Sequence, residues 1–241
     1  MFCALLTGCW VIASELAGRA LLPGPDQVAQ SLVAGLADGT LAMATATSLW
    51  RMLAGFTLSF VLAVPVGLAL RCKELDDTLG ALVLALQALP SICWLPLAAA
   101  WFGQNDWAIL FMVATGSFLA VTATVRDGVR HLPPNYLRAA QTMGAGPWRQ
   151  VTGVLLPASL PALVSGAKLG WSFAWRSLMA GELLYVNRGL GQHLAQGRAA
   201  GDLSRVMAVM VVIVCIGLLV DRLAFAPLES RVRERWGYGR A

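Results

Sequence analysis

Apolar residues run along the chain in long blocks, and short polar or charged segments separate them. Most of these blocks approach or exceed about 20 residues, which is the length that an α-helix needs to cross the hydrocarbon core of a bilayer. The pattern predicts an all-α, polytopic membrane protein that forms one transmembrane domain over residues 1–241. The six predicted spans are approximately 1–20, 49–70, 79–102, 107–126, 154–184 and 203–221.

The first and third spans are the irregular ones. Uninterrupted apolar residues at the N-terminus extend only from Met1 to about Ala13, so either this helix is short or the chain begins inside a longer natural protein. The third span contains Pro90 and Pro96, and a proline removes a backbone donor and disturbs a helix. Such a break is tolerated in a membrane only where protein or a cavity covers it. The two prolines therefore predict either a broken span beside a pathway or a helix kinked for packing.

The composition supports a membrane protein and argues against other classes. The chain is 58% hydrophobic and 13% charged, with a mean hydropathy of +0.67, whereas soluble domains carry about 25% charged residues. The net charge of +5 is small and follows from basic loops beside the membrane, so it gives no reason to expect nucleic acid. The five cysteines and two histidines have no metal-ligand spacing, and the sequence contains no Gly-rich phosphate-binding loop. We expect no cofactor on this chain.

Basic residues are unevenly divided between the two sides of the predicted bundle. Six crossings place both termini on one side of the membrane. That side carries Arg71, Lys73, Arg126, Arg130, Arg138, Arg149, Arg222, Arg231, Arg233, Arg235 and Arg240, and the other carries Arg19, Arg51, Arg188, Arg198 and Arg205. Since Lys and Arg accumulate in cytoplasmic loops, this division predicts a multi-pass protein with a cytoplasmic C-terminus.

One polar stretch interrupts the apolar pattern between the fourth and fifth spans, in a predicted cytoplasmic loop at residues 127–153. Leu137, Ala140 and Met143 follow one another at intervals of three residues, which predicts one apolar face of a short amphipathic helix. Gly144 stands where a C-terminal glycine takes a left-handed conformation. So short a helix is not stable alone in water, and it therefore needs a surface on which to dock.

The spacing of residues in this loop resembles a motif of one transporter family. Ala139-Ala140, three further residues and Gly144 are followed, nine residues later, by Val154-Leu155-Leu156-Pro157. This arrangement resembles the Glu-Ala-Ala motif in the membrane subunits of bacterial ABC importers. The segments that resemble the branch importing nitrate, sulfonates and taurine are Leu22-Pro23-Gly24-Pro25, Arg51-Met52-Leu53-Ala54-Gly55-Phe56, Ala88-Leu89-Pro90, Trp101-Phe102-Gly103, Gly181-Glu182-Leu183-Leu184 and Gly189-Leu190-Gly191.

The resemblance implies a permease rather than an enzyme, with the type I ABC importer (MetI-like) fold, in the bacterial inner membrane. It implies a pathway for a small solute, such as the anions nitrate, a sulfonate or taurine, that an extracytoplasmic binding protein delivers. The implied partners are a second permease subunit, giving a homodimer, and two cytoplasmic ATPase subunits that bind ATP and magnesium. The residues that the resemblance assigns to ATPase coupling are Leu137, Arg138, Ala139, Ala140, Met143, Gly144 and Pro157.

Arg138 departs from the family motif, which has a glutamate at this position. In the family the loop helix docks in a groove on the ATPase, and its acidic residue helps to fix the loop. Because Arg138 reverses this charge, the resemblance does not imply the contact that the family's glutamate makes. It still implies that the helix docks on the ATPase. We instead expect a partner ATPase whose groove presents an acid near Arg138.

Two cations in the fifth span, Lys168 and Arg176, are candidates for the pathway. Intramembrane charges cost about 2.5–3.5 kcal/mol each on insertion scales and usually face a cavity or a partner. Their spacing of eight residues points them to similar sides of a helix and predicts a basic lining for a small anion. The alternatives are a Lys168 that snorkels to the cytoplasmic interface and structural pairing, for example of Arg176 with Glu182. Glu182 itself is expected at the outer end of the fifth span, near the surface where a binding protein docks, or else as an interfacial carboxylate in water. The other pathway candidates are Trp171, Ser172, Trp175, Pro90 and Pro96.

A secondary transporter or a small membrane enzyme that acts without an ATPase is the alternative function. The sequence shows no inverted repeat and no acidic proton or sodium relay in the predicted spans, which disfavours a secondary transporter. It shows no Ser/His/Asp, Cys/His or metal constellation, which disfavours an enzyme. Stable co-purification with a soluble ATPase would separate the importer from both alternatives.

Overall fold

Helices make up the regular structure of the protein in the computed structural model, which describes residues 2–19, 21–185 and 188–235. They are α1 (Phe2–Ala17), α2 (Pro25–Ala37), α3 (Thr40–Ala69), α4 (Lys73–Gln87), α5 (Ser91–Phe102), α6 (Asp106–Arg130), α7 (Asn135–Thr142), α8 (Pro147–Ala158), α9 (Leu160–Leu184), α10 (Leu190–Ala199) and α11 (Leu203–Glu234). No strand occurs in these described ranges, and the predicted all-α fold is confirmed.

The central helix of the bundle is α6, which packs against both α3 and α9. Small residues at these contacts let the helices approach closely, and close backbone packing is what holds helices together in a membrane. Gly55 and Gly67 of α3 face Val113 and Val125 of α6, and a Cβ on either glycine would lie 2.7 Å from a valine carbon. Gly170 brings α9 close to α6 in the same way.

Among the residues that the structure describes, three helices, α3, α6 and α11, are long and apolar enough to cross a membrane. Two bent pairs add up to two more crossings if each pair is taken as one broken span. The helices α4 and α5 meet at 102°, and α8 and α9 meet at 66°. The N-terminal helix α1 has 16 residues, fewer than the roughly 20 that a crossing needs, so the first predicted span stays a prediction.

The second predicted span begins earlier than the sequence indicates. We expect this span from residue 49, but α3 begins at Thr40 and continues through Arg51 without a break. The buried charge of Arg51 is tolerated within the helix because it is paired with the buried carboxylate of Glu182 and with the exposed one of Asp106. Arg51 therefore does not mark the beginning of this helix.

The third predicted span, 79–102, is two helices with a break at residues 88–90. Pro90 precedes the first residue of α5 and lies at the break. Pro96 lies in the first turn of the α-helical part of α5, where a missing N–H costs little, so only one of the two prolines interrupts the chain. The fifth predicted span, 154–184, is also bent, next to Ser159.

The outer surface of the bundle is strongly apolar. Met52, Ile109, Met112 and Leu178 are fully buried where α3, α6 and α9 meet. By contrast, only 11% of the apolar stretch of α11 is buried inside the chain. Soluble monomers rarely expose apolar surface on this scale, whereas lipid tails cover it without cost. The exposure pattern therefore agrees with a membrane-embedded bundle.

Three helices contain a π-helical turn, in which one extra residue widens the helix. The turns are Asp76–Gly80 in α4, Val151–Leu155 in α8 and Asp221–Phe225 in α11. All three lie at the end of the bundle where α6 leads into α7, which we call the coupling end. The end where α6 begins is called the far end.

Candidate functional site

The loop between α6 and α9 forms the predicted short helix, α7. It begins at Asn135, after two prolines whose restricted φ suits the entry to a helix. It ends in a Schellman motif: the N–H of Ala145 donates to the carbonyl of Ala140 at 3.0 Å, and the N–H of Gly144 donates to that of Gln141 at 2.9 Å. Gly144 has φ +77°, so its predicted left-handed conformation is confirmed.

Leu137, Ala140 and Met143 do not share one exposed face. Leu137 is 5% exposed and packs against apolar residues of α6, α8 and α9, and Ala140 is also buried. Met143 is instead 85% exposed. At about 100° per residue, six residues fall about 120° short of two full turns, so Met143 lies beside the buried stripe and not on it. For this reason the expectation of one apolar docking face over the three residues is wrong.

A neighbouring stripe of α7 is the exposed one. Tyr136, Ala139 and Met143 are three and four residues apart, so they lie on one side of the helix, and all three are exposed. Trp148, at the beginning of α8, is also exposed, as is Arg138. We call Tyr136, Arg138, Ala139, Met143 and Trp148 the coupling surface. Sequence periodicity alone does not separate the two stripes, because both contain apolar residues.

The bend between α8 and α9 lies beside Pro157, which is half-buried. Pro157 and Pro161 both lack a backbone N–H, so two rungs of the helical ladder are missing within one turn. The buried hydroxyl of Ser159 donates to the carbonyl of Leu155 at 2.7 Å and satisfies one group at the break. The bend redirects the chain from the spanning helix α9 to the coupling surface.

The Asp76 carboxylate joins α4 to α6 at the coupling end. It accepts hydrogen bonds from the guanidinium groups of Arg126 and Arg130, with Arg126 Nη2 at 3.1 Å from Oδ2. Gly80 leaves room for the cluster, because a Cβ there would lie 2.4 Å from Asp76 Oδ1 and 3.1 Å from Arg126 Nε. Since Arg130 is the last residue of α6, the cluster links the bent pair α4–α5 to the segment that leads into α7.

Glu182 is the centre of a buried polar cluster at the far end. Its side chain is 0% exposed and accepts hydrogen bonds from Ser48 Oγ, Arg51 Nη1 and the N–H of Gly191, all at 2.8–2.9 Å. The expectation of a carboxylate in interfacial water is therefore wrong, and its cationic partner is Arg51 rather than Arg176. The two partners from α3 are more than 100 residues from Glu182 in sequence, so no local sequence pattern predicts that they meet this carboxylate.

Arg51 extends the same cluster to a third helix. Its Nη2 lies 2.7 Å from Asp106 Oδ1, at the beginning of α6, and its Nη1 donates to the carbonyl of Arg188 at 2.6 Å. A single buried guanidinium thus holds α3, α6, α9 and the connection to α10 together. The segment Gly189–Gly191 approaches the carboxylate so closely that a Cβ on Gly189 or Gly191 would lie 2.4 Å from Glu182.

A separate polar contact at the far end joins α10 to α11. His193 Nδ1 lies 2.8 Å from Arg205 Nη2, and burial, together with the positive charge of Arg205, holds the pKa of His193 below its ordinary value. The imidazole is therefore neutral at pH 7 and accepts a hydrogen bond from the guanidinium. This contact fixes α10 against the beginning of α11.

Lys168 lies apart from Arg176. Its Nζ is 2.8 Å from Asp221 Oδ1 and 3.5 Å from Glu229 Oε1, both on α11, so Lys168 is structurally paired. Trp171 and Trp175 contribute to the buried packing of α9, where Trp171 contacts Phe56 and Phe225 edge-on, and Ser172 is half-buried. These residues do not form one basic lining together with Arg176.

Arg176 and Pro90 do come together. Both line a cavity of about 270 Å³ at the break between α4 and α5, with Gln87, Ala88, Leu89, Ser91, Trp94, Gly116, Leu119 and Phe173. Pro96 does not line this cavity. The break predicted at Pro90 and the cation Arg176 of the fifth predicted span therefore lie at the same cavity.

Comparisons with known proteins match this chain to a transporter family. Residues 43–234 match the family described as the binding-protein-dependent transport system inner membrane component. A probable ABC transporter permease of Brucella melitensis is 30% identical over 217 residues, which cover 90% of this chain and 88% of that protein. The taurine transport system permease protein TauC of Escherichia coli is 28% identical over 235 residues, with coverages of 95% and 85%.

The fold also matches a solved transporter. One structure of the inward-facing MetNI methionine ABC transporter superposes with a TM-score of 0.69, at 23% identity, over 81% of this chain and 95% of the matched chain. The predicted MetI-like fold is confirmed by this match. The helical bundle and the match over residues 43–234 lead to the same conclusion. The chain belongs to the family of inner membrane components of binding-protein-dependent transport systems. It is an ABC importer permease and not an enzyme.

Proposed function

We propose that this permease works as one of two identical membrane subunits of an ABC importer. Two cytoplasmic ATPase subunits, which bind ATP and magnesium, dock at the coupling end, and an extracytoplasmic binding protein delivers the solute at the far end. The C-terminus is then cytoplasmic, as the division of basic residues predicts. The observation that carries this proposal is the exposed coupling surface on a helix that is anchored to the bundle by its other side.

The coupling surface has the composition of a protein interface. Tyr136, Met143 and Trp148 are large apolar side chains that are 52%, 85% and 77% exposed. Exposed apolar residues beside polar ones mark interaction sites, and aromatic residues, methionine and arginine are enriched at protein interfaces. The buried Leu137 and Ala140 hold α7 on the bundle, so a displacement of the coupling surface also displaces α8 and α9.

The Asp76 cluster gives this displacement a route to the bent pair. Arg126 and Arg130 belong to the end of α6 that leads into α7, and Asp76 belongs to α4. When the ATPases approach each other on binding ATP, movement of α7 reaches α4 and α5 through this cluster. The two transport states must differ in these contacts for coupling to occur.

The solute that we propose is a small anion. Similar proteins are named as permeases for taurine, aliphatic sulfonates, nitrate and bicarbonate. All of these solutes carry a sulfonate, nitrate or carbonate group, which is a compact oxoanion. The binding protein selects among them, so this chain is required to conduct the class and not one member of it.

Changing Met143 to glutamate is expected to reduce ATPase co-purification about tenfold. A carboxylate in an apolar contact costs free energy, and a tenfold loss of affinity corresponds to about 1.4 kcal/mol. The measurement is the ratio of ATPase to permease after affinity purification from membranes. Met43→Glu is the matched control, because Met43 is also exposed but lies at the beginning of α3, at the far end. Equal ATPase recovery from the two variants would contradict the docking site.

Leu137→Ser separates docking from folding. Leu137 is buried in this chain's own core, so this change is expected to lower the amount and thermal stability of the purified permease itself. Met143→Glu is expected to leave both unchanged. If Leu137→Ser affected only ATPase recovery, the assignment of the two stripes of α7 would be reversed.

Arg138→Glu is expected to weaken pairing with the cognate ATPase, because we propose an acid on the ATPase near Arg138. The guanidinium is exposed on the coupling surface and available for such an ion pair. The affinity of purified permease for its ATPase, measured at low and high salt, would show the loss mainly at low salt. A variant that bound more tightly would exclude the compensating acid.

A further inference from the structure

We infer that Arg176 and the cavity at the break between α4 and α5 form a binding site for small oxoanions inside the permease. This inference rests on the proposed function, since it supplies the solute class with a place in the pathway. It assigns the anion to Arg176 and excludes Lys168 from the site.

Arg176 differs from three other cations of α3, α6 and α9. Arg51, Arg126 and Lys168 each have a carboxylate oxygen at 3.1 Å or less. For Arg176, no hydrogen bond or ion pair occurs with any residue that the structure describes, and its only specific contact is the Phe173 ring, 5.2 Å from the guanidinium carbon. Cations at membrane depth pair with an acid or face a water-filled cavity. Arg176 faces the cavity, and its charge is available to an anion that enters.

The cavity has the size and the polar groups for a small oxoanion. Its volume of about 270 Å³ equals that of roughly nine waters at about 30 Å³ each. Gln87 and Ser91 stand on the wall with Arg176, and their amide and hydroxyl groups are neutral donors. No carboxylate lines the cavity within the described residues. The lining therefore favours an anion over a cation.

The helix break explains why these groups meet. The helices α4 and α5 meet at 102°, and residues at this bend line the same cavity as Phe173 and Arg176. Gly116 of α6 forms part of the opposite wall, where a Cβ would lie 2.0 Å from the buried Ser177 Oγ. A side chain at Gly116 would thus disturb α9 beside Arg176, and glycine keeps the wall thin.

The geometry favours weak, reversible binding of the anion over tight binding. The Arg176 side chain is exposed, and it is held by a cation–π contact rather than by a rigid ion pair. A guanidinium binds planar oxoanions with two parallel hydrogen bonds. An exposed cation surrounded by neutral donors attracts such an anion and also releases it, which conduction requires.

The test measures anion access to Trp94, whose indole lines the same cavity. Iodide, an anionic quencher, and acrylamide, a neutral one, are titrated into the purified permease–ATPase complex. The contribution of Trp94 is the quenching that Trp94→Phe removes. In Arg176→Gln we expect this contribution to fall at least threefold for iodide and to stay unchanged for acrylamide, whereas Arg176→Lys retains most of it. Nitrate and ethanesulfonate are expected to compete with iodide in the unchanged protein and not in Arg176→Gln.

Arg198→Gln is the matched control, because Arg198 is an exposed arginine of α10 that lines another cavity. Quenching by iodide that was equal in Arg176→Gln and Arg198→Gln would overturn the site. A parallel loss of acrylamide quenching would also overturn it, because it would indicate a collapsed cavity rather than a lost charge. The proposed function is tested separately in the same preparation by ATPase co-purification, which Arg176→Gln is expected to leave unchanged.

Discussion

Replacing Glu182 with alanine is expected to lower the free energy of unfolding by about 3–5 kcal/mol, the range for removing one partner of a buried ion pair. The side chain is wholly buried and accepts hydrogen bonds from Ser48, Arg51 and Gly191. Its loss leaves the hydroxyl and the N–H without their acceptor and leaves the buried guanidinium with Asp106 as its carboxylate partner. Thermal or denaturant unfolding of the purified permease in detergent measures the change.

Two further variants serve as controls for Glu182→Ala. Glu15→Ala removes an exposed carboxylate that pairs with Arg19, and exposed pairs contribute about 0–1 kcal/mol. Combining Glu182→Leu with Arg51→Met is expected to recover part of the loss, since an apolar pair can replace a buried ionic one. A decrease for Glu182→Ala as small as that for Glu15→Ala would show that water enters the cluster.

Gly67→Val is expected to destabilise the bundle by about 1–3 kcal/mol, the usual cost of inserting carbons into a packed core. A Cβ at Gly67 would lie 2.7 Å from Val125 Cβ and 3.1 Å from the carbonyl oxygen of Thr122. The carbonyl belongs to the backbone of α6 and does not move aside as a side chain does. The helices α3 and α6 are therefore forced apart, and the yield and melting temperature of the detergent-purified protein should both fall.

Gly217→Val is the control for this prediction, because no atom lies within 4 Å of a Cβ placed there. It inserts the same side chain into α11, which faces outward. Adding Val125→Ala to Gly67→Val is expected to restore part of the stability by making room. If Gly67→Val were as stable as Gly217→Val, the close contact of α3 with α6 would not exist in the folded protein.

Local pattern is enough to predict the helices and several of their breaks. Long apolar blocks locate α3, α6, α9 and α11, since burial in lipid dominates every other local preference. Pro90 predicts the break in the third span, because a missing backbone donor acts on its own turn. The conformation of Gly144 follows from its position after a short helix. Each of these features depends on residues that are neighbours in sequence.

The features that sequence reasoning misses depend on distant partners. Arg51 suggests the edge of a span until Glu182, 131 residues away, is seen to neutralise it. Leu137 and Tyr136 are adjacent apolar residues of α7, and only the burial of Leu137 in one core cluster with Leu155 and Leu163 shows that Leu137 is not the docking residue. Lys168 and Arg176 have a spacing that suggests one lining, but the carboxylates of α11 bind only Lys168.

The π-helical turn at Asp221–Phe225 has a consequence for helical phase. Asp221 and Glu229 are eight residues apart, which on a regular α-helix rotates one about 80° away from the other. One extra residue in the π turn reduces the effective spacing to seven, and the rotation to about 20°. Both carboxylates therefore reach the one ammonium group of Lys168. A single extra residue in the π turn thus lets two successive levels of α11 hold α9 through one side chain, Lys168.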